Sequence, residues 1–339
     1  VICPHCSVNL LHKERTGRTC LACKRTFALE PKDNELRLHD VRMRTLAEKL
    51  GDGRGLRYTA PQLWYAASRN RIPPAGQASR GCFVTLVVIT LVAAVSIVSA
   101  NPFRKPVLLV GGPVLAVLVL CLFLARRRAR RVDPVRMPMS LERFESAVLQ
   151  RWAEVYGRRP RGLVPPTAAP LPAPPRPGVA VLCPDRAVLD CLAANDAPAA
   201  PTMAMVQSPD QVPPGVPAVV LHDASPSGLA FAAAARTALG ERALVVGLLP
   251  RSVMAHENAV RLRESPLPQY GVAELRASCP TLTDEELDWL AQGWWSPLAA
   301  VPPAALLTAV HQAARRAAEA TDPDHRGARG VGFLTWPER

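Results

Sequence analysis

Residues 82–100 and 107–125 form two apolar runs of 19 residues each, and neither contains a charge. At 1.5 Å per residue, such a run in helical form reaches roughly 28 Å, close to a bilayer's hydrocarbon thickness. The link Asn101-Pro102-Phe103-Arg104-Lys105-Pro106 is long enough only for a tight reversal. The pattern predicts a two-helix transmembrane hairpin over 82–125, since in lipid each segment must pair its own backbone groups. A buried helical pair in a soluble core fits less well, because soluble helices are seldom apolar on all sides. Gly111-Gly112-Pro113 predicts a kink in the second span. Neither span carries an ionisable side chain, so the hairpin reads as an anchor and not as a transporter or channel.

Helical periodicity appears on both sides. Leu38, Val41, Leu46 and Leu50 have helical spacing, and Gly51 is placed to end that helix. Gly51-Asp52-Gly53-Arg54-Gly55 reads as a loop and lacks the Lys-Ser/Thr of a phosphate-binding P-loop. A second short helix near 61–69 carries Leu63, Trp64 and Tyr65. Residues 34–81 are thus expected to form a small helical or winged-helix-like unit. Beyond the spans, Ser140 is placed to cap a helix over 140–157. Leu141, Phe144, Val148, Trp152 and Val155 would line one face. That face needs a cover, either the C-terminal domain or a second subunit. Residues 158–178 follow as a Pro-rich linker, with eight prolines in 160–178, expected to be an extended spacer.

The pattern changes again at residue 179. Val179-Ala180-Val181-Leu182, Ala218-Val219-Val220-Leu221 and Leu244-Val245-Val246-Gly247-Leu248 are short apolar runs suited to strands buried on both faces. Helices are expected at 187–194 and 229–239. Alternating strands and helices predict an α/β domain with a parallel sheet over 179–320. Thr281-Leu282-Thr283-Asp284-Glu285-Glu286 reads as a capped helix start. Trp289, Trp294 and Trp295 are read as core, an Ala-rich helix closes the domain at 303–320, and 321–339 form a tail. The expected fold class is therefore multidomain: zinc ribbon, small helical unit, transmembrane hairpin and α/β domain.

Composition changes the picture mainly through charge. The chain has 339 residues and a net charge of +13. Residues 1–161 hold 28 Lys/Arg against 11 Asp/Glu; residues 162–339 hold 13 against 17. The basic half adjoins the apolar runs, so the expected partner is a lipid bilayer with anionic headgroups. Arg69, Arg71, Arg80, Arg126, Arg127, Arg128, Arg130, Arg131 and Arg136 flank the spans, against Arg104 and Lys105 between them. This bias predicts an inner or plasma membrane protein with two spans and both termini cytoplasmic. A protein partner or homo-oligomer, and nucleic acid bound by the basic half, remain open. The chain opens directly into a Cys-rich motif, so a signal peptide is not expected. Val1 implies an alternative start codon read literally, or a missing beginning.

Cys3-Pro4-His5-Cys6 and Cys20-Leu21-Ala22-Cys23 are two CxxC knuckles 13 residues apart. Cys3, Cys6, Cys20 and Cys23 together offer a tetrahedral S4 set, which suits structural Zn²⁺. A redox dithiol pair is the alternative. Val8, Leu10, Leu11, Thr26, Phe27 and Leu29 fit strands after the knuckles. The motif resembles the zinc-ribbon class over residues 1–30, with His5 and His12 as bystanders. A closed S4 site leaves no open position for catalysis. A reducing compartment also argues against a disulfide framework for the nine cysteines.

Two chemistries are candidates in the α/β domain. Ligands sit at the carboxyl ends of parallel strands, where Cys183-Pro184-Asp185 and His222-Asp223 fall. Cys183 and His222 would make a nucleophilic dyad, with Asp223 or Asp185 as orienter. The alternative is a buried Cys ending a strand and a His in a capping loop. The segment Asp223-Ala224-Ser225-Pro226-Ser227-Gly228 resembles the acidic motif of Toprim domains, with Ser225 at the second Asp and Cys183 at the Glu position. Gly247-Leu248-Leu249-Pro250 is similar to a segment of the topoisomerase VI A-subunit group. That resemblance implies a Toprim-like fold, and the two replacements imply loss of its Mg²⁺ site. In layout the chain resembles uncharacterised actinobacterial membrane proteins. The expectation is a membrane-anchored, cytoplasm-facing binding, scaffold or regulatory protein, with an enzyme of the α/β domain or a membrane-tethered DNA-binding protein as alternatives.

Overall fold

A computed structural model describes residues 1–72, 134–165, 170–195 and 202–321. The apolar runs at 82–125 lie outside the described residues, as do most of the 321–339 tail and residues 73–81 of the expected helical unit. Among the described residues no helix is long and apolar enough to cross a membrane. The chain divides into one unit of Val1–Ile72 with Arg136–Arg339, and a second of Pro73–Val135.

The first unit begins with the two Cys knuckles. Each is closed by an isolated antiparallel bridge, Ile2 with Asn9 and Thr19 with Thr26. Leu10, Phe27 and Leu29 turn inward, whereas Val8 and Leu11 are exposed. So short a segment has room for only one apolar side, and the cysteines take much of it. Arg15 and Glu30 form a buried ion pair at 2.6 Å between the second half of the ribbon and its exit.

Helix α1 (Asp40–Gly51) follows, with His39 as N-cap and Asp52 in the left-handed conformation at its end. Its buried face is Met43, Ala47 and Leu50, while Val41 and Leu46 are only partly covered. Helix α2 (Ala60–Ser68) starts in a capping box between Thr59 and Gln62. Helix α3 runs through Leu141–Phe144, a π-helical stretch Glu145–Gln150, and Arg151–Tyr156. Ser140 accepts the Arg143 N–H at its start, and Gly157 ends it at φ 65°.

The apolar face of α3 packs on the helical unit and not on the α/β layer. Phe144, Val148 and Trp152 share one core with Leu36, Leu38, Met43, Tyr58 and Leu63. Trp64 Nε1 donates to the Met139 carbonyl at 3.0 Å, and Tyr58 Oη donates to the Arg161 carbonyl at 2.7 Å. The reason lies in what α1 and α2 lack: two short helices alone cannot enclose Leu36, Leu38, Met43 and Leu63. Among the described residues of 34–72 there is no wing, and Tyr58 makes a single bridge with Leu163. Buried Asp40 ties the pieces together, accepting N–H groups from Ala28 and Leu29 at 2.9 and 2.8 Å and the Tyr156 hydroxyl.

The remainder is a parallel sheet between helical layers. Its strands are β1 (Val179–Leu182), β2 (Met203–Val206), β3 (Ala218–Val220) and β4 (Ala243–Val245), ordered β2-β1-β3-β4. The register pairs Val181 with Met205 and Val219, and Val219 with Leu244. Strand β2 goes beyond the sequence reading, because Met203-Ala204-Met205-Val206 carries no β-branched run or alternation. Helix α4 (Arg186–Asn195) joins β1 to β2, and α5 (Pro226–Leu239) joins β3 to β4. Val179, Val181 and Val219 pack on α4; Ala180, Leu182 and Val220 pack on α5. Strand alternation thus buries both faces, as continuous apolar runs require.

Beyond β4 come α6 (Pro250–Ala255), β5 (Leu262–Arg263), α7 (Gln269–Ser278), α8 (Asp284–Ala291), β6 (Trp294–Trp295) and α9 (Pro303–Thr321). Strands β5 and β6 pair antiparallel, and Trp294 is buried under the Arg263 guanidinium. Thr283 and Glu286 cap α8 reciprocally, as their spacing predicts. Helix α9 lies with α4 on the first face of the sheet.

The Pro-rich stretch is not a free spacer where it is described. The Pro172 carbonyl accepts the Met205 N–H at 3.0 Å, and Leu171 packs against the core. Proline has no N–H to offer a ladder, so it lines an edge strand and ends pairing there. The helical unit also docks: Asn195 exchanges two hydrogen bonds of 2.7 Å with the Arg57 backbone, and Leu56 and Tyr65 pack against the sheet's core.

Candidate metal centre

The two knuckles are the same structure, repeated at an offset of 17 positions from Cys3 to Cys20. Cys3 and Cys20 direct their N–H groups to the Val8 and Arg25 carbonyls at 2.9 and 3.0 Å. Ser7 and Lys24, one residue past each second cysteine, take φ of 61° and 59°. This left-handed turn folds each strand back and leaves both thiols on the inner side. His5 N–H points to Cys3 Sγ and Cys23 N–H to Cys20 Sγ, each at 3.5 Å. The Cys23 N–H favours the Cys20 thiolate and brings that thiol down to about 7.

The four sulfurs lie within 4.8 Å of one another. The Cys3–Cys23 and Cys6–Cys20 pairs are 3.8 Å apart. A tetrahedron with bonds of ~2.3 Å has edges of about 3.8 Å, so these four residues can hold a metal ion. Cys3 and Cys20 are buried, Cys6 and Cys23 partly so. His5 Nε2 bonds the Thr26 carbonyl at 3.0 Å, and His12 lies 4.0 Å from Glu30, so neither belongs to the set. Among the described residues this is the one cluster of three or more metal-binding side chains, and all seven described cysteines are free of disulfides.

The residues at the strand ends are arranged differently. Cys183 continues β1 on the α4–α9 face and is 1% exposed, and burial pushes its thiol up. His222 continues β3 one residue past Leu221, so alternation turns it to the opposite face. There its ring sits where a Cβ on Gly247 would project, 1.8 Å from Nε2. His222 Nδ1–H donates to the Asp223 carbonyl at 2.8 Å, and burial holds the imidazole below its usual value. The two members of the expected dyad thus occupy different faces of the sheet.

Asp223 accepts the Leu298 N–H at 2.6 Å, while Ala224 and Ser296 exchange backbone hydrogen bonds. Ser225 Oγ accepts the Gly228 N–H and caps α5. A Cβ on Gly228 would lie 2.6 Å from the Asp223 carbonyl, so the glycine lets the helix start close beneath the loop. Asp185 caps α4 through the Ala187 N–H. Burial raises both carboxyls, and Asp185 pushes Asp223 further. Burial and these two charges also push up the Tyr65 hydroxyl, which α2 brings to the junction of β1 and β3. Tyr65 sits in a short apolar helix over a hundred residues earlier in the chain. This junction, where the strand order reverses, is where ligands settle in open α/β sheets. No protein-family model matches this chain, and neither does any curated protein or solved structure.

Proposed function

We propose that the chain is a membrane-anchored, cytoplasm-facing protein whose ribbon holds a structural Zn²⁺ and whose α/β layer binds or scaffolds a partner without catalysis. The observation that carries this reading is the core shared across the apolar segment. Residues Leu36–Ala67 and Met139–Leu163 contribute to one buried cluster. The chain leaves this body at Ile72 and returns to it at Arg136. One folded body lies on one side of a bilayer, so the intervening residues cross an even number of times. Two 19-residue spans at 82–100 and 107–125 satisfy that count, and the flanking arginines favour the cytoplasmic side.

Four sulfurs at tetrahedral spacing with no open position support structural zinc over a catalytic or redox role. The split of Cys183 and His222 between faces, and the engagement of Asp223 by Leu298, support a binding domain over an enzyme. Read as a Toprim relative, the domain keeps Asp223 and Gly228 but has Ser225 as a helix cap where a second carboxylate would stand.

The test is membrane fractionation combined with topology reporters. The full chain should sediment with membranes and resist carbonate extraction. A fluorescent protein fused after Arg339 should glow, and alkaline phosphatase inserted in 101–106 should be active. A soluble full-length product, or an active phosphatase at the C-terminus, would defeat the reading.

A further inference from the structure

A cleft of about 950 Å³ opens between the C-terminal half of α1, the glycine loop after it, and residues 152–163. Five arginines line it, Arg44, Arg57, Arg158, Arg159 and Arg161, against a single carboxylate, Glu48. All five side chains are exposed, and none is ion-paired among the described residues. Arg44 alone is engaged, by the Pro4 carbonyl at 3.1 Å and the face of Tyr156. Nearby Asp52 is taken up by Arg54 at 2.6 Å. The C-termini of α1 and α3 both point at the cleft and together bring about one negative charge. Five positive charges against Glu48 and that dipole leave a surplus of about three. Capping the helix ends therefore does not use up the arginines.

We propose that this cleft binds single-stranded nucleic acid through its phosphodiester backbone. The chemistry of the lining selects this ligand in three steps. A free nucleotide is usually held by backbone N–H groups at a helix N-terminus, and this cleft receives two C-termini instead. Long, exposed arginines suit a chain of phosphates read without regard to sequence. A concave site takes in a strand, whereas a duplex is read by a convex element entering its groove. A bilayer presents a broad surface, which a concave site meets less well than a flexible strand does. The proposal does not depend on the zinc or the membrane anchor.

The experiment is fluorescence anisotropy of labelled (dT)20 against the full chain in detergent micelles, over a salt series. The triple variant Arg158→Ala/Arg159→Ala/Arg161→Ala should weaken binding at least tenfold at about 50 mM salt. It should also reduce the slope of log K against log salt by about 2, since each phosphate contact contributes roughly 0.7. A second triple, Arg25→Ala/Arg37→Ala/Arg236→Ala, removes equal charge away from the cleft and should change affinity less than about twofold. Absence of (dT)20 binding at low salt, or equal loss in both triples, would overturn the proposal. So would tighter binding of a duplex through the same arginines, or a cleft variant that loses phosphatidylserine vesicles yet keeps (dT)20 at wild-type affinity. Unchanged metal content and thermal melting of each variant show that the fold is retained.

Discussion

The ribbon and the sheet hold themselves together by different means. The ribbon's own core is Cys3, Leu10 and Cys20, and two of these three belong to the four-cysteine set that can hold a metal ion. The sheet covers both faces, with α4 and α9 on one side and α5 on the other, around side chains almost wholly removed from water. Thirty residues cannot bury enough apolar surface to offset chain entropy, so on the proposed reading coordinate bonds supply what the ribbon's core lacks. The sheet can do so, and its cysteines are ordinary core residues: Cys183 and Cys191 are buried, and burial raises the Cys191 thiol to about 11. The same side chain is thus placed to ligate a metal in one region and is a small hydrophobe in the other, and the surroundings decide which.

The largest effect that separates the two is loss of the metal. Structural zinc in small domains supplies an apparent ~10–16 kcal/mol. Cys20→Ser should therefore release the ion and unfold the ribbon. Hydrogen exchange should then show loss of protection over residues 1–27 with 179–221 unchanged. Loss in both regions would mean that they fold as one unit and would break the comparison. Ala28 and Leu29 pack with the helical unit, so partial loosening of α1 is expected.

A smaller effect probes the sheet alone. Gly247→Ala drives a methyl into the His222 ring and should cost about 1–3 kcal/mol in urea unfolding, with the metal retained. In a His222→Ala background the same change should cost much less. Equal costs in both backgrounds would show that the ring is not what requires the glycine.

The smallest effect has the opposite sign. Asp185 has a raised pKa in the folded state, mainly through burial, so the folded chain binds its proton more tightly than the unfolded chain. Its contribution to stability is present at low pH and is lost as pH rises through the folded value. Asp185→Asn keeps an acceptor for the Ala187 N–H and removes the charge. Its melting temperature should exceed wild type at pH 7–8, and the gain should shrink towards pH 4. A gain independent of pH would point away from the carboxylate's burial. Thiolate–metal binding weakens as pH falls, so acid should weaken the ribbon while it relieves the burial of the Asp185 carboxylate.

Local chemistry explains which parts were readable. The CxxC spacing places four thiols because each knuckle is a local turn. Thr283 and Glu286 cap α8, and Ser140 caps α3, because capping acts within three residues. Strands β1 and β3 stand out as continuous apolar runs between turns. Strand β2 does not, since its place follows from pairing with β1 and not from its own composition. Cys183 and His222 lie on different faces for a related reason. Both residues end strands, but face depends on parity, and His222 lies one position beyond the residue that shares a face with Cys183.

The amino-acid sequence by itself determined the four-cysteine cluster, the strand–helix alternation and the uneven charge, because each depends on residue type and short spacing. Only the tertiary structure decided what covers α3, where the prolines lie, which face each strand-end residue takes, and that arginines from three segments line one cleft. Those outcomes depend on contacts between residues far apart in the chain, selected by which apolar faces remain open after each element forms.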